Sequence, residues 1–295
     1  MADLTAIITE IELATGNNCQ PYDSQSIGGG CINSAYQLNT PAGQFFVKVN
    51  RPELSDMFAA EALGLEEMAA TKTVRVPKVI CHGRTVSDSF LVLEYIPLGS
   101  LRGKAAGLLG EQLAQMHAVQ QPYFGWSMDN TIGSTPQPND QQNDWVNFYQ
   151  HQRLAHQYQL AARHGFAGSL QKNGGKLIEA LPAFFSDYSP QPSLLHGDLW
   201  GGNAAANDQG QPVIFDPACY YGDAEADLAM TELFGNFGND FYAAYRNIRP
   251  IDSGYRVRKT LYNLYHIINH LNLFGGGYLG QAEAMTNQLL SEVKG

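Results

Sequence analysis

The chain has 295 residues, 44% hydrophobic and 16% charged, which is enough apolar side chain for a large core and too much for intrinsic disorder. Its 18 Lys and Arg stand against 28 Asp and Glu, a formal net charge of -10 that repels polyanions on average and argues against a nucleic-acid partner. The 4 cysteines form no C-x-x-C pair, and no run of about 18 apolar residues occurs. Zinc-finger, disulfide-framework and membrane-spanning readings therefore lack support, and the cytoplasm is the expected location.

The first 16 residues, MADLTAIITEIELATG, carry acids in an amphipathic pattern and predict a short helix rather than a signal segment. Residues 26–50 predict a hairpin, with strands over 33–38 and 44–49 and a turn at Thr40-Pro41-Ala42-Gly43. Helical spacing over 55–70 points Met57, Ala60, Leu63 and Leu65 inward, with Ser55 as N-cap. A strand over 76–82 follows, then a buried strand over 89–96 that ends at Pro97 and Gly99.

Beyond this point the pattern turns helical, over 107–120, 143–164, 170–185, 223–246 and 255–273, around a β-like island at 193–216. The Pro-, Gln- and Asn-rich stretch 134–143 predicts an ordered surface loop. The expectation is an α+β protein of two lobes, a small β-rich lobe over 1–97 and a larger helical lobe over 98–295.

The island carries the chemistry. In LLHGDLWGGN, His196, Asp198 and Asn203 are spaced H-x-D-x-x-x-x-N, and VIFDP then ends an apolar run on Asp216. Phosphoryl transfer is mostly positioning and charge neutralisation. It needs one carboxylate to orient or accept the hydroxyl proton, which suits Asp198. It needs an amide and a second carboxylate to hold magnesium against the phosphates, which suits Asn203 and Asp216. Asp, Asn and Gly also favour plain turns, but a turn does not require this spacing or the strand-end Asp.

Lys48, alone among apolar residues in FFVKVN, is the candidate for binding ATP phosphates; an edge-strand lysine is the simpler alternative. Its expected partner is Glu61 in mid-helix, with Glu66 and Glu67 as competitors. Gly28, Gly29 and Gly30 precede the first strand, where backbone N–H groups can cover phosphates. Cys31 beside them is either redox-sensitive or an inert thiol. The backbone of Glu94 and Ile96 is placed to meet adenine at a crossover between lobes.

In YYGDAEADLAM, Asp223 reads as a helix N-cap, with substrate contact as the second reading. Asp227, deeper among apolar residues, reads as a brace for the catalytic loop, and His196 as support within it. Trp200 is a candidate wall for the acceptor. His266 and His270 stand one helical turn apart without the acid of H-E-x-x-H and read as structural, and His117 belongs to no constellation.

HGDLWGGN followed by FDPACYYGDAEADLAM resembles the fructosamine kinase (ketosamine-3-kinase) family, and FFVKVN, RVPKVI, the PQPN segment and the Arg153 region are similar too. The resemblance covers nearly the whole chain. It implies a protein-kinase-like fold and ATP- and Mg2+-dependent phosphorylation of the 3-hydroxyl of a ribulosamine, erythrulosamine or fructosamine, free or on protein lysines. The 3-phosphate falls off and frees the amine. The resemblance assigns Asp198 as base, Asn203 and Asp216 as magnesium ligands, and Lys48 with Glu61 as the phosphate-binding pair. It also matches Cys31 to a cysteine in the glycine-rich loop. An aminoglycoside- or choline-type phosphotransferase and a non-catalytic nucleotide-binding protein are the rival expectations, and the oligomeric state is open between monomer and dimer.

Overall fold

The structure is a computed structural model and describes residues 4–28 and 32–293. Helix α1 (Thr5–Thr15) buries Ile7, Ile8 and Ile11 against a five-stranded antiparallel sheet. The sheet is formed by β1 (Asp23–Ile27), β2 (Ser34–Thr40), β3 (Gly43–Asn50), β4 (Val79–Arg84) and β5 (Ser89–Glu94), in the order β1-β2-β3-β5-β4. The hairpin predicted from Pro41 and Gly43 is β2–β3, with Tyr36 opposite Val47. Lys48 lies opposite Leu91 on central strand β3, so the edge-strand alternative falls away. Strand β1 was not anticipated, because DSQSI is exposed along most of its length and carries no apolar alternation.

Helix α2 (Ser55–Ala70) spans the predicted 55–70, but its buried face is Phe58, Ala60, Ala62, Leu65 and Met68, while Leu63 is exposed. The apolar stripe is wide because the helix is covered by the sheet on one side and by the second lobe on the other. Ser55 makes no side-chain cap; a 3-10 turn over Pro52–Leu54 runs into the helix instead.

After the two-residue strand β6 (Leu98–Gly99), the chain builds α3 (Lys104–Met116) and a hairpin of β7 (Asn130–Ile132) and β8 (Thr135–Gln137). The stretch expected as a surface loop is thus partly strand, with Gln137 and Asn139 buried. These polar side chains go inside because they are hydrogen-bonded there: Gln137 donates to Ala218 O at 3.2 Å and Asn139 accepts from Arg153 at 2.7 Å. Helices α4 (Trp145–Tyr149) and α5 (His156–Arg163) are joined by a π-helical turn, Gln150–Ala155, on which Arg153 stacks over Tyr220 at 4.1 Å.

Helix α6 (Ser169–Ala180) passes through a 3-10 turn to β9 (Ser193–Leu195), β10 (Ala204–Asn207), β11 (Pro212–Ile214) and β12 (Tyr220–Gly222). Strand β10 pairs with both β11 and β6, tying the crossover after β5 to the loop that carries Asp198 and Asn203. The predicted helix 223–246 is two helices, α7 (Ala224–Leu233) and α8 (Asn239–Ile248), broken at Gly235 and Gly238, both at positive φ. Helix α9 (Tyr255–Phe274) is the buried spine of this lobe, and α10 (Leu279–Glu292), not anticipated, packs on α6 and α9. Among the described residues, no helix is long and apolar enough to cross a membrane.

Candidate active site

Strand β3 carries Lys48 inward, and α2 carries Glu61 to meet it: Lys48 Nζ donates to Glu61 Oε1 at 2.6 Å and to Asp216 Oδ1 at 2.6 Å. Burial pulls the Lys48 pKa down, but the two carboxylates more than offset this, and the ammonium is held above its ordinary value. Glu61 is pushed up by burial and by Asp216, with Lys48 opposing. The competitors are elsewhere. Glu66 is exposed, and Glu67 accepts from Trp126 Nε1 and from Tyr221 OH, each at 2.6 Å. One ion triad therefore joins the sheet, helix α2 and the segment after β11.

Asp216 holds a left-handed backbone, φ 58°, which Asp tolerates better than most residues. Its neighbours fix that turn: Phe215 N–H donates to Asn203 O at 3.1 Å and Ala218 N–H to His196 O at 2.9 Å. The catalytic loop passes so close that a Cβ on Gly197, itself at φ +81°, would lie 2.0 Å from Ala218 O. Only glycine fits the middle of H-G-D for both reasons.

Asp198 and Asn203 face each other across the loop. Asn203 Nδ2 donates to Asp198 O at 2.9 Å, to Asp198 Oδ2 at 3.1 Å and to Asp216 O at 3.5 Å, which leaves Oδ1 as the amide's ligand atom. The Asp198 carboxyl is pushed up to about 7, first by burial and then by the negative charge of Asp216, with Asn203 opposing. A carboxyl near neutrality beside a second acid is suited to accepting a proton.

The loop is braced from beneath. Asp227 on α7 accepts from His196 N–H at 2.7 Å through Oδ2 and from Gly197 N–H at 2.8 Å through Oδ1. His117, left without a role by its sequence context, contacts Asp227 Oδ2 through Nε2 at 3.2 Å and Tyr245 OH through Nδ1 at 2.8 Å. Its signal was too weak to find, since α3 and α7 are distant in the chain. His196 Nε2 donates to Phe215 O at 2.9 Å and Nδ1 accepts from Asp198 N–H at 3.2 Å, so this buried imidazole ties the loop to the Asp216 segment.

Asp223 does not reach an open site. It is 0% exposed, caps α7 through Glu225 N–H, and takes the hydroxyls of Tyr188 at 2.9 Å and Tyr262 at 2.5 Å, so the substrate reading is corrected to a structural one. Glu94 donates its N–H to Lys78 O and its side chain pairs with Arg75, so neither its N–H nor its carboxylate is free for a ligand. Gly28 is described and exposed; Gly29, Gly30 and Cys31 lie outside the described residues. Asn50 Nδ2 pins the far end of that loop through Ile32 O at 3.0 Å and Asn33 Oδ1 at 2.6 Å.

A cavity of about 600 Å³ opens beside Asn203, lined among others by Leu98, Leu101, Arg102, Gly202, Ala204 and Phe215. Among the described residues no three His, Cys, Asp or Glu are arranged as a metal cage. Two oxygen donors, Asn203 Oδ1 and the Asp216 carboxylate, fit a magnesium ion that takes its remaining ligands from phosphates and water.

The family model for fructosamine kinase matches residues 3–292. The chain belongs to the fructosamine kinase family. A probable ketoamine kinase of Synechocystis is 47% identical over 285 residues, 96% of each chain. The chloroplastic protein-ribulosamine 3-kinase of Arabidopsis thaliana is 44% identical over 290 residues, 97% of this chain and 88% of that one. A solved structure from Haemophilus somnus with a provisional fructosamine-3-kinase name has a TM-score of 0.89 at 30% identity, covering 96% of each chain. The aminoglycoside phosphotransferase APH(4)-Ia shares the fold alone, at a TM-score of 0.66 and 13% identity. Membership of the fructosamine kinase family makes the chain a phosphotransferase of the kinase-like fold.

Proposed function

We propose that this fructosamine kinase family member is an ATP-dependent kinase that phosphorylates the 3-hydroxyl of ketosamines, free or on protein lysines, in protein deglycation. Residues 1–97 serve as the nucleotide-holding lobe and 98–295 as the catalytic and acceptor lobe. The observation that carries the reading is the convergence of Lys48, Asp216, Asn203 and Asp198 from three separate stretches of chain on one cleft. The named relatives narrow the acceptor to ketosamines.

The chemistry follows from these groups. Lys48, aimed by Glu61, meets the phosphates of ATP. Asp198 orients the 3-hydroxyl and takes its proton as the oxygen bonds to the γ-phosphorus and the bond to ADP breaks. Magnesium would neutralise phosphate charge, and Asn203 and Asp216 would hold it. His196 and Asp227 keep the loop carrying Asp198 in register. Trp200 walls the acceptor side.

ADP release measured with ribulosamine, erythrulosamine, fructosamine, an aminoglycoside and choline tests the reading. Release with a ketosamine and none with the other two is expected; the reverse pattern sinks the proposal. Gly202→Ala tests the wall. A Cβ there would lie 2.3 Å from the Trp200 ring, so the indole must swing away. The acceptor KM should rise roughly three- to tenfold, the worth of one aromatic contact, with the ATP KM unchanged. An unchanged acceptor KM removes Trp200 from the acceptor site.

A further inference from the structure

Among the described residues, the only exposed Phe or Trp side chains are Trp200 at 38%, Phe234 at 39% and Phe274 at 56%, and they share one strip. Trp200 meets Phe234 edge-on at 6.2 Å between ring centroids, Phe234 lies 4.8 Å from His270, and His270 lies 5.4 Å from Phe274 and 5.2 Å from Tyr278. Three separate elements thus build one aromatic surface: the catalytic loop, the end of α7, and the end of α9 with the turn beyond it. Exposed aromatic side chains gathered in one place, rather than scattered, mark an interaction surface.

The strip begins beside Asp198 and ends where α9 ends. Trp200 is two residues from Asp198, and its N–H closes a turn on Asp198 O at 3.2 Å. At the other end Leu273, next to Phe274, packs with Ile32 over the β7–β8 turn. A Cβ on Gly133 would lie 2.9 Å from Leu273 Cδ1 and 3.3 Å from Ile32 Cδ1. Ile32 borders the glycine-rich segment. The rings therefore run from beside Asp198 toward the end of α9, next to the β7–β8 turn.

The strip has one polar feature. His270 Nδ1 donates to His266 O at 2.8 Å, which fixes the tautomer and leaves Nε2 as an acceptor. Burial holds this imidazole below its ordinary pKa, in keeping with a neutral ring. A row of aromatic faces with a single acceptor suits a polypeptide, whose side chains pack on rings and whose backbone N–H groups donate. A second copy of the chain is disfavoured, because each copy carries a net charge of -10.

We infer that Phe234, His270, Phe274 and Tyr278 form a docking strip for the polypeptide that flanks a modified lysine, so that the enzyme discriminates protein-bound ketosamines from free ones. This rests on the ketosamine reading above. The test compares kcat/KM for free ribulosyl-lysine and for ribulosyl-lysine within a short peptide, in wild type, Phe274→Ala and His270→Ala. Wild type is expected to favour the peptide. Phe274→Ala should lose roughly three- to tenfold on the peptide, the worth of one aromatic contact, and stay within about twofold on the free amino acid. His270→Ala should follow the same pattern. Equal loss on both substrates, or no loss on either, overturns the strip while leaving the kinase reading standing. No ADP from either substrate with wild type overturns the kinase reading itself. Self-association in sedimentation that Phe274→Ala abolishes would give the strip to a second copy and overturn the peptide assignment.

Discussion

Asp198→Asn is expected to cut turnover by orders of magnitude and, at the same time, to stabilise the protein. The loss of the base should lower kcat by roughly 10²–10⁴-fold, the range for a positioned proton acceptor, while ATP-dependent protection against heat persists. The gain in stability comes from the same environment. The folded-state pKa of about 7 lies above the value of about 3.9 in an unfolded chain, so the folded protein holds this proton where the unfolded chain has released it. Below the lower value both states are protonated, and the group adds nothing to the pH dependence. Between the two values the unfolded chain binds fewer protons, and stability falls as pH rises. Above about 7 the folded state carries a charge that burial and Asp216 disfavour.

Asparagine carries no charge to ionise, so its advantage in Tm should be larger at pH 8 than at pH 5, measured without nucleotide or magnesium. Each kcal/mol relieved corresponds to about 2–4 °C in a chain of this size class. A Tm difference that is the same at both pH values, or a variant less stable than wild type at pH 8, would show that Asp198 is not held against its charge. Retained turnover would remove it from the chemistry.

The parts of this site that could be read from sequence are those whose spacing is set within one stretch. The H-x-D-x-x-x-x-N spacing comes from one loop closing on itself: Asn203 reaches back to Asp198 through the chain's own turn. Lys48 could be found because a lone cation between β-branched and aromatic neighbours conflicts with its strand. Glu61 needed tertiary structure to separate it from Glu66 and Glu67, since all three lie on α2 and only its azimuth faces β3. His117 and Arg153 were illegible in their roles for the same reason. Each is buried by partners more than ten residues away, and nothing in their local sequence distinguishes a satisfied core polar group from an exposed one. Stretch 134–143 was misread because Pro, Gln and Asn are usually solvated, whereas here Gln137 and Asn139 support the Ala218 segment and Arg153. The Asp223 substrate reading failed because three acids within five residues look solvated and available to a ligand. Their actual partners are tyrosine hydroxyls, Arg258 and backbone N–H groups.

Asp227→Asn should act in the opposite sense to Asp198→Asn, although both exchange a carboxylate for its closest amide. Burial raises the pKa of Asp227, but the His117 hydrogen bond, the His117 and His196 rings and the Gly197 N–H together bring it below the ordinary value. Its contribution is therefore present above the unfolded value and is lost only as pH falls through the depressed one, well into acid. Both oxygens of Asp227 are acceptors: Oδ2 serves His196 N–H and His117, and Oδ1 serves Gly197 N–H. An amide has one acceptor oxygen, so its NH2 must face a buried N–H donor in either orientation. The expected cost is about 3–5 kcal/mol in urea unfolding, the range for breaking a buried charged contact. It should be flat between pH 5 and 8, where the Asp198 effect is changing. Because the broken bonds hold His196 and Gly197, the folded fraction should also lose kcat more than ATP affinity. A cost under about 1 kcal/mol would mean that the loop holds itself without this brace.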